Sequence, residues 1–210
     1  GLRPSVQAPL IPGARLPAHG NIGIHHRGRD CIFRRRDQTS PLNAAPAVDT
    51  LHGIDVVTAK LVEHKIAAAK KGTVLVFLSA KCPCSASHEK VLAKLHSDFS
   101  GKGFAFVGLH SNVDEPMAQT KEHFTKINLP FSVLQDDHAA LANVLGALKT
   151  PHVFVLDPNG KTVFQGGVDD SHDADVAGRH FLKQALEAVD AGRAPDPSTV
   201  RALGCVIKRG

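Results

Sequence analysis

The sequence predicts an α/β fold, a central mixed sheet flanked by helices. Three observations predict it. From residue 54 onward, short apolar and β-branched runs alternate with segments of helical period, the pattern of a sheet covered by helices on both faces. A D-P-N-G turn at 157–160 signals a hairpin, which adds antiparallel strands to that sheet. The stretch 73–89, T-V-L-V-F-L-S-A-K-C-P-C-S-A-S-H-E, runs from an apolar strand through a cysteine turn into a helical pattern.

Each element follows from its own spacing. Residues 54–70 carry apolar side chains at 54, 57, 61, 62 and 66, the period of an amphipathic helix, and Gly72 would end it. A strand at 73–79 follows. A helix from about 84 to 99 then buries Val91, Leu92, Leu95 and Phe99, and Gly101 and Gly103 close it. F-A-F-V-G-L-H at 104–110 reads as a second strand. Residues 114–126 read as a helix with Pro116 near its first turn, where proline is tolerated. A short strand at 131–134 precedes a helix that Asp137 caps, running to 145 with Leu141, Val144 and Leu145 inward. T-P-H-V-F-V-L-D at 150–157 and K-T-V-F-Q-G at 161–166 form the hairpin. A last helix spans 174–191, with Val176, Phe181, Leu182, Leu186 and Val189 on its apolar side.

Three segments result: an irregular basic leader at 1–49, an α/β domain at 50–192, and an irregular tail at 193–210 that carries Cys205. The leader is rich in proline, glycine and arginine and has no sustained period. Residues 1–44 hold seven arginines against two aspartates, which accounts for the whole net charge of +5. The remaining chain balances, so the domain carries no electrostatic footprint for nucleic acid. The run Arg34, Arg35, Arg36 reads as a solvated charge cluster, and Cys31 beside it as incidental. No run approaches the roughly 18 apolar residues of a membrane span, and the start of the chain lacks the apolar core of a signal peptide. Four cysteines, 31, 82, 84 and 205, are too few and too unevenly spaced for a disulfide scaffold.

The cysteine turn carries the chemistry. A strand that delivers Cys82 to the first turn of a helix sets its sulfur against free N–H groups and a partial positive charge, both of which favour thiolate. Lys81 adds a further positive charge.

The order of elements resembles the thioredoxin-like fold, and in particular bacterial redoxin-type proteins of the thioredoxin and AhpC/TSA superfamily. The residues that carry the resemblance are V-L-V-F-L-S-A-K-C-P at 74–83, G-F-A-F-V-G-L-H at 103–110, T-P-H-V-F-V-L-D at 150–157 and G-K-T-V-F-Q-G at 160–166. The ending A-G-R-A-P-D-P-S-T-V-R-A-L-G-C-V-I-K-R at 191–209 is similar to a redoxin subgroup that closes on Gly-Cys. The resemblance implies that Pro151 is a cis-proline facing the reactive cysteine, and that the Thr150 backbone meets substrate. It implies thiol–disulfide exchange without a cofactor, acting on protein thiols or disulfides or on a small thiol or peroxide. A periplasmic or envelope location is part of the same expectation.

The usual redoxin spacing is C-x-x-C. Here Cys82-Pro83-Cys84 is C-x-C, and Ser85 stands at the usual second position. Either Cys84 or the distant Cys205 is a candidate resolving thiol. Two other chemistries remain open. A peroxide reductase would use Ser79, three residues before Cys82, and needs an arginine beside the thiolate; none occurs between 70 and 178, which leaves Arg179. A soft-metal module would use Cys82, Cys84 and His88, the last two on one helix face. A bland alternative makes Cys82 and Cys84 buried structural thiols. Asp169 and Asp170 read as solvated, with proton transfer a weaker option.

Overall fold

The computed structural model describes residues 47–210. The leader to residue 46, with Cys31 and the arginine run, lies outside the described residues.

Five strands form the main sheet in the order β5-β4-β3-β7-β8. The centre is β3 (Gly72–Leu78), every residue of which is buried. β4 (Phe104–His110) pairs with it in parallel, and β5 (Val133–Gln135) pairs in parallel with β4. On the other side β7 (His152–Leu156) is antiparallel to β3, and β8 (Thr162–Gly166) is antiparallel to β7. The mixed sheet flanked by helices is the architecture the sequence predicts.

Strand alternation divides the core into two faces. Val74, Val76 and Leu78 point to one side, where they meet Leu92, Leu95 and Phe99 of α1 (Pro83–Phe99) and Leu182, Ala185 and Leu186 of α4 (Phe181–Asp190). Phe124 of α2 (Met117–Ile127) joins the same face. Leu75 and Phe77 point to the other side, against Ala142 and Leu145 of α3 (Ala140–Leu145), with Leu51, Ile66 and Ile207 from outside the sheet.

The topology assembles one edge. Because β3 and β4 are parallel, the loops that leave them, 79–82 and 111–116, emerge side by side. β7 is antiparallel, so its beginning lies at the same end: His152 pairs with Phe77. The segment before it, β6 (Lys149–Thr150), therefore lies beside the cysteine turn.

Several local expectations need correction. Residues 54–70 are not a helix but complete a β-hairpin, β1 (Thr50–Ile54) with β2 (Leu61–Lys65), followed by a single 3₁₀ turn at Ile66–Ala68. The Asp55 carboxylate accepts the N–H groups of Val57 and Thr58 and the Thr58 hydroxyl, which turns the chain. Ile54 and Leu61, read as a buried stripe, are exposed. Gly72 opens β3; a Cβ there would lie 2.5 Å from the Leu156 carbonyl oxygen. Asp136, not Asp137, caps α3 by accepting from the N–H groups of Leu141 and Ala142, and Val144 faces outward. The last helix begins only at Phe181, after a 3₁₀ turn at Ala174–Val176 in which Val176 is exposed.

The tail differs most from an irregular segment. It runs beside β8 through hydrogen bonds from Gln165 N–H to Ser198 and from Val200 N–H to Gln165. It then forms β9 (Cys205–Val206), antiparallel to β6, with Thr150 opposite Cys205 and Lys149 opposite Val206. Ile207 is buried, and its N–H donates to the Leu148 carbonyl oxygen. Gly204 makes this approach possible. Its φ is +145°, and a Cβ would sit 2.1 Å from the Thr150 carbonyl oxygen.

Candidate active site

Cys82 is the N-cap residue of α1, and Pro83 occupies the first helical position. That order follows from the sequence. Proline fixes a helical φ and has no N–H to waste at this position, so the helix starts directly after the cysteine. The turn itself is held from below. Ser79 Oγ accepts the N–H groups of Lys81 and Cys82, at 3.2 and 3.0 Å. The Ser79 hydroxyl donates to the Glu115 carboxylate, whose other oxygen accepts from Ala80 N–H at 2.7 Å and contacts His110 Nε2 at 3.1 Å. Ser85, at the usual second cysteine position, is fully buried and accepts the Ser79 N–H at 3.1 Å.

Three of the predicted site residues meet at Cys82. Its Sγ lies 3.0 Å from the Thr150 carbonyl oxygen and 2.7 Å from Cys205 Sγ. The Thr150–Pro151 peptide is cis. Cys84 stands in the first turn of α1, half-buried, with its sulfur 3.4 Å from His172 Nδ1. The sulfurs of Cys82, Cys84 and Cys205 all lie within 4.8 Å of one another, and none of the three is in a disulfide.

Electrostatics separates the three thiols. Burial opposes ionisation of Cys82, but the Cys205 thiol, Thr150 and the backbone N–H groups of Ser85 and Cys205 outweigh it, and its pKa falls below the ordinary thiol value. Among the described residues, Thr150 Oγ1 is the one buried side-chain oxygen or nitrogen without a hydrogen-bond partner. A Cys82 thiolate gives that hydroxyl an acceptor. Burial and the charge of Cys82 push Cys84 upward. Burial, then the hydrogen bond and charge of Cys82, push Cys205 up to about 12. Of the three sulfurs, Cys82 is the one whose surroundings favour the thiolate.

Other expectations are displaced. Lys81 is exposed, and its ammonium donates to the Asp114 carbonyl oxygen at 2.8 Å rather than facing the thiolate. His88 is not free for a metal: its Nδ1 meets the Cys84 carbonyl oxygen at 2.6 Å and its Nε2 the Asp169 carboxylate at 2.9 Å, both acceptors. Asp169 is therefore buried and paired, while Asp170 is exposed and accepts the N–H groups of Gly178 and Arg179. Arg179 lies over the Phe181 ring at 4.9 Å.

Sequence reasoning missed Glu115, His110 and His172. The first two carried a signal: both lie at or just past the end of a strand parallel to β3, where loops converge. His172, in the polar run D-D-S-H-D, carried none.

A family model described as Redoxin matches residues 43–179. Among solved structures, an uncharacterized conserved protein from Geobacillus kaustophilus is 24% identical with a TM-score of 0.70, covering 79% of this chain and 91% of that one. A hypothetical protein from Sinorhizobium meliloti is 23% identical, also with a TM-score of 0.70, covering 80% and 96%. A peroxidoxin from Mycobacterium tuberculosis is 18% identical with a TM-score of 0.54, covering 72% and 98%. At these identities the likenesses concern the fold. No protein of curated function matches the chain by sequence. The family match takes in the cysteine turn and the strand after Pro151, and spans well over half of the chain, which belongs to the Redoxin family.

Proposed function

We propose that this protein is a thiol–disulfide oxidoreductase in which Cys82 is the nucleophile and Cys205 the resolving thiol. Membership of the Redoxin family supports a thioredoxin-like redox role, and the finer assignment rests on the sulfur geometry. The observation that carries it is the 2.7 Å approach of Cys82 Sγ to Cys205 Sγ, from segments 123 residues apart.

The chemistry runs in two displacements. The Cys82 thiolate attacks one sulfur of a substrate disulfide, forms a mixed disulfide and releases the other half as a thiolate. Cys205 then loses its proton and attacks the Cys82 sulfur. The second half of the substrate leaves as a thiolate, and a Cys82–Cys205 disulfide remains. The substrate has gained two electrons, and both leaving thiolates take up protons. The elevated pKa of Cys205 fits this order. Part of the elevation comes from the Cys82 charge, which is gone once Cys82 is in the mixed disulfide, so the resolving thiol ionises more readily when it is needed. The reverse sequence oxidises a substrate dithiol. No cofactor enters either direction.

The substrate class follows from the occupied edge. β9 already pairs with β6 at Thr150, the backbone an extended peptide would meet. Cys82 is only 3% exposed beneath this edge, so β9 has to give way before any disulfide reaches the sulfur; a small disulfide needs the lesser displacement, because a protein substrate also has to take the place of β9 at Thr150. The family resemblance carries the expectation of an envelope location, which cell fractionation tests. Among the described residues, no helix is long and apolar enough to cross a membrane.

A trapping experiment tests the assignment. Cys205→Ser, mixed with a model disulfide, accumulates a stable mixed disulfide on Cys82, while the parent chain turns it over. If no adduct forms on Cys82 in that variant, the nucleophile is misassigned.

A further inference from the structure

The redox couple needs only Cys82 and Cys205, which leaves Cys84 and His172 without a role, although Cys84 belongs to the sulfur cluster and His172 touches it through Cys84. We propose that the reduced protein binds a zinc ion, one per chain, through Cys82, Cys84, Cys205 and His172.

The donor set has the composition of a tetrahedral zinc site, three sulfurs and one imidazole nitrogen. The sulfurs come from the N-cap of α1, its first turn, and β9, and lie within 4.8 Å of one another. His172 comes from the loop after β8; its Nδ1 is 3.4 Å from Cys84 Sγ but farther than 4.8 Å from at least one of the other two sulfurs, so this exposed side chain has to swing toward them to complete the site. With zinc–sulfur and zinc–nitrogen bonds of about 2.3 and 2.0–2.1 Å, a tetrahedron separates a sulfur and a nitrogen ligand by about 3.5 Å. The Cys84–His172 edge already has that length. The same geometry asks for about 3.8 Å between two sulfurs, so Cys205 has to draw back from its 2.7 Å contact with Cys82 by roughly 1 Å. Cys205 is the ligand able to do so, because it is exposed on a strand of two residues. Sulfur and imidazole donors select a soft or borderline ion over calcium or magnesium. Three sulfurs this close cannot all ionise unless a cation stands among them. The entry path is open, since His172 and Cys205 are exposed and Cys84 is half-buried. The set differs from one built on His88, whose two ring nitrogens are engaged.

Zinc and the disulfide exclude each other. When an external disulfide oxidises the site, Cys82 and Cys205 give it two electrons and become disulfide-linked. The oxidant leaves as two thiols after taking up two protons, and the zinc loses two of its four ligands. A zinc-loaded chain therefore keeps Cys82 shielded, and a disulfide stress releases both the ion and the reactive pair.

The test is a titration of the reduced, metal-free full chain with Zn²⁺, and with Co²⁺ as a spectroscopic reporter, in the absence of oxygen. The expected result is one zinc retained per chain after desalting, and a cobalt form with thiolate-to-metal charge-transfer bands and the visible bands of a tetrahedral site. Cys84→Ser and His172→Ala each weaken zinc binding by more than the roughly 10- to 100-fold that loss of even an outer-shell partner costs. Cys31→Ser retains the ion, which separates this cluster from the leader. Treatment with oxidised glutathione releases it. The proposal is overturned if the reduced chain retains no zinc, if the cobalt form lacks sulfur charge transfer, if Cys84→Ser and His172→Ala bind as the parent does, if Cys31→Ser abolishes binding, or if the Cys82–Cys205 disulfide form keeps the metal.

Discussion

Cys82 and Cys205 touch, yet the fold holds them by different means. Cys82 is fixed from every side. The apolar strand β3 leads into it, Pro83 starts a helix behind it, and the Ser79–Glu115 pair anchors its backbone from below. Cys205 lies on a two-residue strand at the surface, tied by β6 on one side and beyond it by the buried Ile207, by Lys208 N–H donating to Asn112, and by the Arg209 guanidinium donating to Asn143 and the Ala147 carbonyl oxygen. The difference suits a nucleophile and a resolving thiol. A nucleophile gains from a fixed, ionised sulfur, whereas its partner has to leave and return.

That contrast can be broken first at the tail. Protonation of His152 should have the largest effect. Its Nδ1 accepts the Leu148 N–H at 3.1 Å, and the carbonyl oxygen of the same Leu148 accepts from Ile207, so the histidine steadies the segment that holds the tail. Burial lowers the folded His152 from 6.5 to about 4. A depressed histidine favours the neutral form, so protons bind the unfolded chain more readily. The contribution is complete above pH 6.5 and is lost as pH falls from there to about 4, reaching about 3 kcal/mol. Urea melts across that window measure the slope, and His152→Gln, which cannot be protonated, should flatten it.

Gly204→Ala should come next. The new methyl meets the Thr150 carbonyl oxygen, so β9 has to lift away from β6. A displacement of about 1 Å costs on the order of 10²-fold in the rate of an intramolecular reaction, and closure of the Cys82–Cys205 disulfide should slow by that order. Stopped-flow alkylation after an oxidant pulse measures it. Alkylation of reduced Cys82 should persist, because the turn that holds it is untouched.

The smallest effect tests the fixed side. Thr150→Val removes the hydroxyl that a Cys82 thiolate engages and keeps the shape of the side chain. The pH at which Cys82 becomes half-reactive toward iodoacetamide should rise, with little change in stability, because the parent hydroxyl has no other partner.

The Cys82 side was legible in the sequence, and the Cys205 side was not. β3 and β4 announce themselves because, His110 apart, every residue of these central strands is apolar or small, and Cys82-Pro83 marks the helix start by proline's own geometry. The hairpin at 50–65 was misread because Ile54 and Leu61 are apolar but exposed, and by coincidence fall on a helical period. The tail strand was invisible for a different reason. It is held by one apolar side chain, by pairing with Lys149–Thr150 and by polar contacts of Lys208 and Arg209 with Asn112, Asn143 and Ala147, partners that no local pattern reveals. Glu115 lies between these cases. Its role comes from two parallel strands that end side by side, which is a property of topology and not of its neighbours in sequence.

Which sulfur closes on Cys82 decides the chemistry of the site. The direct measurement is a disulfide map of the mildly oxidised full chain by peptide mass spectrometry, with free thiols blocked before digestion. The expected map has a Cys82–Cys205 link and a blocked, free Cys84. A Cys82–Cys84 link, or Cys205 bonded to Cys84 with Cys82 left free, would contradict it.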